Sequence, residues 1–295
     1  MKILITGAGG QLGREWMHFL ENGEHQVHGF GSDQFDITDH TLVSKIMHEI
    51  RPDLLINCAA YTAVDKAEEE PETAYSVNDQ GAENLARICR ELRCKLVHFS
   101  TDYVFGGTQH DHEKMPEGYP ESYPTDPQNV YGASKRAGEL KIESEGGNWL
   151  IIRVSWLCGQ FGNNFVKTML RLSGERDELK VVDDQTGSPT YCTDLVNKTM
   201  RLVEMDQKGY FHISSEGSVT WYGLTRELLN QSGRLDLVKL KAVGSDEFPV
   251  VARRPAFSLL NCSKLKSAGL KPIPWKTGLK QLLNQLNKKK NIDEN

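Results

Sequence analysis

The sequence predicts a doubly wound α/β fold, and three observations lead there. Short apolar runs alternate with longer amphipathic segments through residue 154, a glycine-rich turn follows the first run, and the most unusual polar residues follow Thr6, Cys58, Ser100 and Val154. Short apolar runs suit strands buried on both faces, and alternation with helices implies a parallel sheet with right-handed crossovers. Ligands of such sheets lie beyond the carboxyl ends of the strands, where those polar residues fall.

Taken in order, residues 2–6 read as strand one and 11–21 as the helix after it. Strand two covers 26–30, and the helix over 41–50 is opened by Thr38 or Asp39 as its cap. Strand three covers 54–58, a long helix lies within 72–92, and strand four covers 95–100. Residues 130–144 read as a helix and 149–154 as strand five. Beyond Val154 the rhythm turns irregular: helices over 164–172, 193–204, 221–231 and 277–289, and strands over 180–182 and 210–214. The polar tail from Lys288 to Asn295 is expected to fray.

Bulk properties narrow the function classes. The 295 residues are 38% hydrophobic and 25% charged with a formal net charge of -5, an ordinary globular composition. Mild acidity without a basic stripe argues against a nucleic-acid partner. No apolar stretch approaches membrane-spanning length, and the amino terminus runs straight into a strand rather than a leader, so no membrane partner and a cytoplasmic location are expected. The six cysteines form no C-x-x-C pair and read as small buried residues in a reducing compartment. His18, His25, His28, His40 and His48 straddle different elements, so no metal site is expected from the residues.

The turn Thr6-Gly7-Ala8-Gly9-Gly10-Gln11-Leu12-Gly13 sits between strand one and its helix. Leu12 occupies a position where the commonest dinucleotide fingerprint has glycine; read as Gly7, Gly10 and Gly13, the turn has glycine at every third residue. Gly7 then permits a tight turn, Gly10 lets a pyrophosphate approach the backbone, and Gly13 brings the helix close to the sheet. The helix N-terminus offers free N–H groups to the phosphates. This makes residues 1–155 a Rossmann-type dinucleotide-binding domain and 156–295 mainly a smaller substrate-binding lobe, some of whose segments are free to return to the sheet. Between NADH and NADPH the stretch after strand two, residues 30–36, lacks Arg and Lys and leans toward NADH, but Ser32 suits a phosphate and the choice stays open.

Tyr131-Gly132-Ala133-Ser134-Lys135 places a phenol and an ammonium four residues apart on one face of a helix. A free phenol titrates near pH 10, and a nearby ammonium is expected to lower that value into a range useful for acid/base work. Strand four ends in Ser100-Thr101-Asp102, where Thr101 is placed to donate to a substrate carbonyl and Asp102 either anchors a sugar hydroxyl or caps the backbone. A lone Tyr-x-x-x-Lys is more often an exposed helical pair; the glycine turn and the strand-four end make it more than that.

With these residues the chain resembles the extended short-chain dehydrogenase/reductases, and within them the dTDP-4-dehydrorhamnose reductase subfamily. The likeness runs through the glycine turn, Asp36-Ile37-Thr38-Asp39, residues 57–68, Val77-Asn78, residues 100–105 and 131–135, Arg153-Val154-Ser155-Trp156, Gly162-Asn163-Asn164-Phe165, residues 184–190 and Arg254-Pro255. It implies a pyrophosphate site at Gly10, Gln11 and Leu12, an adenine side at Asp36 and Ile37, and cofactor contacts at Ala59, Ala60, Tyr61 and Thr62. Tyr61 stands where many relatives carry histidine. The resemblance makes Tyr131 the proton donor, Lys135 its partner and cofactor contact, and Thr101 the third catalytic group, with Thr101, Asp102 and Trp156 against a dTDP-sugar. It also admits a homodimer, and Mg2+ through carboxylates at the dimer contact, although nothing in the sequence identifies such ligands.

Two rivals share the scaffold. A nucleotide-sugar 4-epimerase uses the same turn and Tyr/Lys pair without consuming cofactor, and a non-catalytic regulatory subunit would not need Thr101, Tyr131 and Lys135 together. Arg253 and Arg254 are read evenly as a diphosphate clamp or a surface pair, Lys167 as a weaker phosphate candidate, and Trp221 as a packing residue. Tyr119, Tyr123 and the prolines between residues 116 and 127 suggest a loop near the site that acts as a substrate lid.

Overall fold

The computed structural model describes residues 1–21 and 23–293, the side chains of 289–293 excepted. The tail expected to fray from Lys288 instead continues the helix Trp275–Asp293, and residues 294 and 295 lie outside the described residues. The main sheet has six strands, and every pairing in it is parallel. From one edge to the other they are Gly209–His212, β5 (Trp149–Val154), β4 (Lys95–Thr101), β3 (Leu54–Asn57), β1 (Lys2–Thr6) and β2 (Gln26–Phe30). The chain leaves β1 toward β2 and then restarts at β3 on its other side. That reversal opens a crevice where Thr6 pairs with Asn57.

Alternation along the strands explains why their sequences are continuously apolar. Ile3, Ile5, Leu54, Ile56, Leu150 and Ile152 face one layer, while Leu4, Leu55, Leu96 and Ile151 face the other. The first layer is α1 (Gln11–Leu20) with the helix Cys192–Glu204; the second is α2 (His40–Ile50) with the helices Gly81–Leu92 and Val130–Glu145. Each such aliphatic side chain, fully buried, stabilises the fold by about 1.5–3 kcal/mol. Of the two candidate caps for α2, Asp39 is the one that forms, accepting from the N–H groups of Thr41 and Leu42.

The long helix expected within 72–92 is interrupted. Pro71–Tyr75 passes through a π-helical turn, Ser76–Gln80, into Gly81–Leu92. The wider turn holds Asn78, which is buried and serves the site described below.

Past residue 155 the chain returns twice to the main sheet: Gly209–His212 pairs with β5, and Cys192–Glu204 covers one face. A separate apolar cluster joins Val166, Leu224, Leu228, Leu279 and Leu282 from the helices Phe165–Glu175, Trp221–Gln231 and Trp275–Asp293. Glu178–Val182 pairs in parallel with Lys239–Val243, a strand the sequence hid because its lysines and half-exposed apolar residues give it a surface composition. The stretch expected to act as a lid is pinned instead. Tyr119 is fully buried, its ring stacks on Phe105 at 4.4 Å between centroids, and its hydroxyl accepts from the Gly107 N–H at 3.0 Å.

Candidate active site

The glycine turn is shaped by sterics. Gly7 has φ +62°, and a Cβ there would stand 2.7 Å from the Cys58 carbonyl carbon and the Ala59 nitrogen at the end of β3. A Cβ on Gly13 would stand 2.1 Å from the Gly7 carbonyl oxygen. By contrast, Gly9 and Gly10 are exposed, and a Cβ on Gly9 would meet nothing. Gly10 caps α1 without any side-chain bond, and no acidic residue occupies the first turn. The N–H groups at the start of α1 thus face an open turn, the arrangement that suits a pyrophosphate. Leu12 contributes only backbone there, because its side chain lies in the core. The Gln11 side chain ties the turn to the carboxyl half, donating to the Leu157 carbonyl at 3.2 Å and accepting from Asn164 at 2.9 Å.

Along the β2 side, Ile37 is buried and Asp36 is exposed, its carboxylate accepting from the N–H and hydroxyl of Thr38 at 2.9 and 2.8 Å. After β3, Ala59 and Ala60 are half-buried and Thr62 is exposed. Asn78 fixes this segment. It accepts from the Tyr61 N–H at 2.9 Å and donates to the Tyr61 carbonyl and to Ser134 Oγ, each at 3.0 Å. Ser134 donates in turn to the Tyr131 carbonyl at 2.8 Å. Asn78 thereby couples the 59–62 segment to the helix that carries Tyr131 and Lys135, a role the sequence alone did not assign. The Tyr61 hydroxyl donates to Glu70 at 3.2 Å.

At the end of β4, Thr101 Oγ1 donates to Asp102 Oδ1 at 2.9 Å and accepts from the Tyr103 N–H at 3.2 Å. Asp102 Oδ2 and Ser100 Oγ are buried without a partner among the described residues. Burial pushes the Asp102 carboxyl up to about 7, against the hydrogen bond from Thr101 that favours its charge. Unpaired buried polar atoms at a strand end are what a site prepared for a polar ligand presents.

Tyr131 meets Tyr103 edge to face, with ring centroids 5.5 Å apart. Burial pushes its phenol above the ordinary range, and a hydrogen bond with Thr101 offsets this only in part. The lowering expected from Lys135 does not occur here, because Nζ of Lys135 turns toward β4. It donates to the Phe99 carbonyl at 2.7 Å and lies 3.2 Å from His98 Nε2. Tyr131 is therefore held as a neutral acid, the form a proton donor requires.

Beyond the sheet, Trp156 takes a left-handed backbone conformation, φ +48°, and stacks face to face on Trp221 at 3.5 Å between centroids. Trp221 packs as expected, against the apolar cluster of the carboxyl half. With Gln185, Arg253 and Arg254 it lines a cavity of about 940 Å³. Arg254 pairs with Asp65 at 2.5 Å and donates to the Tyr103 hydroxyl at 3.4 Å, which links the cavity to the Tyr131 side. Arg253 is exposed and donates to Gln128 at 3.2 Å. Lys167 bonds the carbonyl of Gly162 at 2.5 Å. Among the described residues no group of three or more His, Cys, Asp or Glu is arranged to hold a metal ion, and no helix is long and apolar enough to cross a membrane.

Comparison with known proteins decides the family. The RmlD substrate binding domain matches residues 1–288. The chain belongs to this family. Relatives of the RmlD family include a dTDP-4-dehydrorhamnose reductase of Aggregatibacter actinomycetemcomitans, 37% identical over 293 residues, covering 95% of this chain and 98% of the relative. Another, from Escherichia coli (strain K12), is 38% identical, with 97% and 98% covered. The crystal structure of a dTDP-4-dehydrorhamnose reductase from Bacillus anthracis str. Ames in complex with NADP superposes with a TM-score of 0.91 at 40% identity, covering 96% of this chain and 99% of that one. A UDP-glucose 4-epimerase from Thermus thermophilus, in complex with NAD, shares the fold at a TM-score of 0.82 with only 20% identity.

Proposed function

We propose that this protein is an NAD(P)H-dependent oxidoreductase that reduces the C4 ketone of dTDP-4-dehydro-L-rhamnose, giving dTDP-L-rhamnose for cell-surface polysaccharide. The observation that carries the reading is the family match along residues 1–288, joined to a strand-four end where Thr101, Asp102 and Tyr131 converge.

The reduced nicotinamide, when bound, supplies the hydride. The chain orients both reactants. Gly7 and Gly13 shape the turn, Gly10, Gln11 and Leu12 present backbone to the pyrophosphate, Asp36 and Ile37 border the adenine, and Ala59, Ala60, Tyr61 and Thr62 border the middle of the cofactor. Trp156, Arg253 and Asp102 hold the sugar nucleotide. As charge grows on the ketone oxygen, Thr101 and Tyr131 stabilise it by hydrogen bonds, and Tyr131 delivers its proton. Lys135 stabilises the phenolate that remains. The same reading assigns the cytoplasm as the compartment, in keeping with six free cysteines, and a homodimer as the assembly.

The test is direct. With dTDP-4-dehydro-L-rhamnose generated by upstream enzymes, consumption of NADH or NADPH is followed separately by absorbance. Substrate-dependent consumption is expected, and the faster cofactor sets the preference. Turnover of a nucleotide sugar without net consumption would point to epimerisation, and a folded, cofactor-binding protein without turnover would point to another sugar nucleotide or a regulatory subunit.

A further inference from the structure

Behind Lys135 runs a buried polar chain that the proposed mechanism does not use. Thr6 Oγ1 donates to Asn57 Oδ1 at 2.6 Å, Asn57 Nδ2 lies 2.9 Å from His98 Nδ1, and His98 Nε2 lies 3.2 Å from Lys135 Nζ. All four residues are almost wholly buried, at 0–2% exposure. The Ala59 backbone N–H also donates to Asn57 Oδ1, at 3.1 Å. A backbone N–H can only donate, so this bond fixes the amide with its oxygen toward Ala59 and its NH2 toward His98. Nδ1 of His98 must then accept. A neutral imidazole whose Nδ1 accepts carries its proton on Nε2, pointing at Lys135.

An ammonium has donors only, so a charged Lys135 would face His98 donor to donor. A neutral amine has a lone pair for the Nε2–H while it donates to the Phe99 carbonyl at 2.7 Å. We propose that His98 is a positioning residue for Lys135: its Nε2–H donates to the Nζ lone pair and favours the neutral amine in the free protein. The proposed reductase chemistry supplies the consequence, since Lys135 must gain a proton to act as an ammonium beside Tyr131.

The surrounding charges agree. Burial and the neighbouring Lys135 push the His98 imidazole well below its ordinary range, which keeps it neutral with a single N–H. Burial brings Lys135 down to about 8, although Glu139 on its own helix and Cys58 after β3 both pull upward. Glu139 is already engaged by Arg153 at 2.7 Å and Arg136 at 2.8 Å. Tyr131, on the same helix, is held protonated by burial.

The measurement is made on the free, full-length protein, so it is independent of any substrate. The 13Cε resonance of Lys135, identified by its loss in Lys135→Met, is titrated with pH, and the His98 tautomer is read from its ring-nitrogen shifts. The expected results are a midpoint at or below about 8 and an Nε2–H tautomer. His98→Gln offers Oε1 as an acceptor instead and should raise the midpoint by about one pH unit, a tenfold gain in proton affinity. Asn57→Asp, which accepts from Nδ1–H and reverses the tautomer, should move it the same way and serves if His98→Gln does not fold. In a reductase assay the alkaline limb of turnover should follow the midpoint to higher pH. An Nδ1–H tautomer in the unmodified protein, or a Lys135 midpoint unchanged by a folded variant, would overturn the proposal whether or not the protein reduces a dTDP-sugar.

Discussion

The glycine turn after β1 and the polar end of β4 lie at the carboxyl edge of the same sheet, but the first is made of backbone and the second of side chains. At the turn, specificity is steric: Gly7 and Gly13 leave no room for a Cβ, while Gly9 and the uncapped start of α1 stay open. At β4, the fold instead holds polar atoms it does not satisfy, Ser100 Oγ and Asp102 Oδ2, and keeps Tyr131 and Asp102 protonated more readily than in water. The turn therefore contributes shape at little energetic cost, whereas the β4 end stores unfavourable burial that a bound ligand can relieve.

The largest effect should come from closing the turn. Gly13→Ala puts a Cβ 2.1 Å from the Gly7 carbonyl oxygen, with backbone on both sides and nothing flexible to yield. Overpacking of this kind costs about 1–3 kcal/mol or more, and cofactor binding should be lost outright, as read by calorimetry. Retained affinity would mean that the turn does not face the pyrophosphate.

Next comes Tyr131→Phe, which leaves the turn intact and removes the proton. Turnover should fall by about 10²–10⁴-fold, with cofactor affinity close to that of the unmodified protein. Unchanged turnover would sink the proton-donor role, and a parallel loss of cofactor affinity would assign Tyr131 to binding instead.

The contrast also explains what the sequence disclosed. Backbone-made features carry a residue signature, because only glycine fits at Gly7 and Gly13, and continuous apolar runs announce strands buried on both faces. Main-sheet strands and the Tyr131–Lys135 spacing were legible for that reason. Features made by distant side chains were not. Asn78 acts through a π turn that no local pattern signals, and His98 reads as one apolar-strand residue until Asn57 and Lys135 are brought against it. The Trp156–Trp221 stack joins residues 65 positions apart, and Lys239–Val243 has a surface composition. The aromatic and proline content of residues 116–127 suggested motion, yet Tyr119 had found a core slot on Phe105.

A smaller effect separates stored burial from chemistry. Asp102 is raised to about 7 by burial, so the folded protein binds its proton more tightly than the unfolded chain. That contribution to stability is full below about pH 4 and is lost as pH rises to about 7. Asp102→Asn should flatten this slope and raise the unfolding free energy at pH 8 by about 1–3 kcal/mol, while weakening substrate binding. Denaturant titrations at pH 5 and pH 8 check it. A variant no more stable at pH 8 would show that the carboxylate is not strained in the free protein, and the β4 end would then resemble the turn.

The mildest change is Ser100→Ala, and it separates two uses of an unpaired hydroxyl. Its Oγ has no partner among the described residues and Ser100 is 4% exposed, so removing it deletes a desolvated group and no bond. Stability should stay level or rise, by about 1 kcal/mol at most. If the hydroxyl waits for the sugar nucleotide, KM for the substrate should rise while affinity for the cofactor holds. If both constants hold and stability rises, Ser100 is an unfavourable atom with no ligand, and the difference between the turn and the β4 end rests on Asp102 and Tyr131 alone.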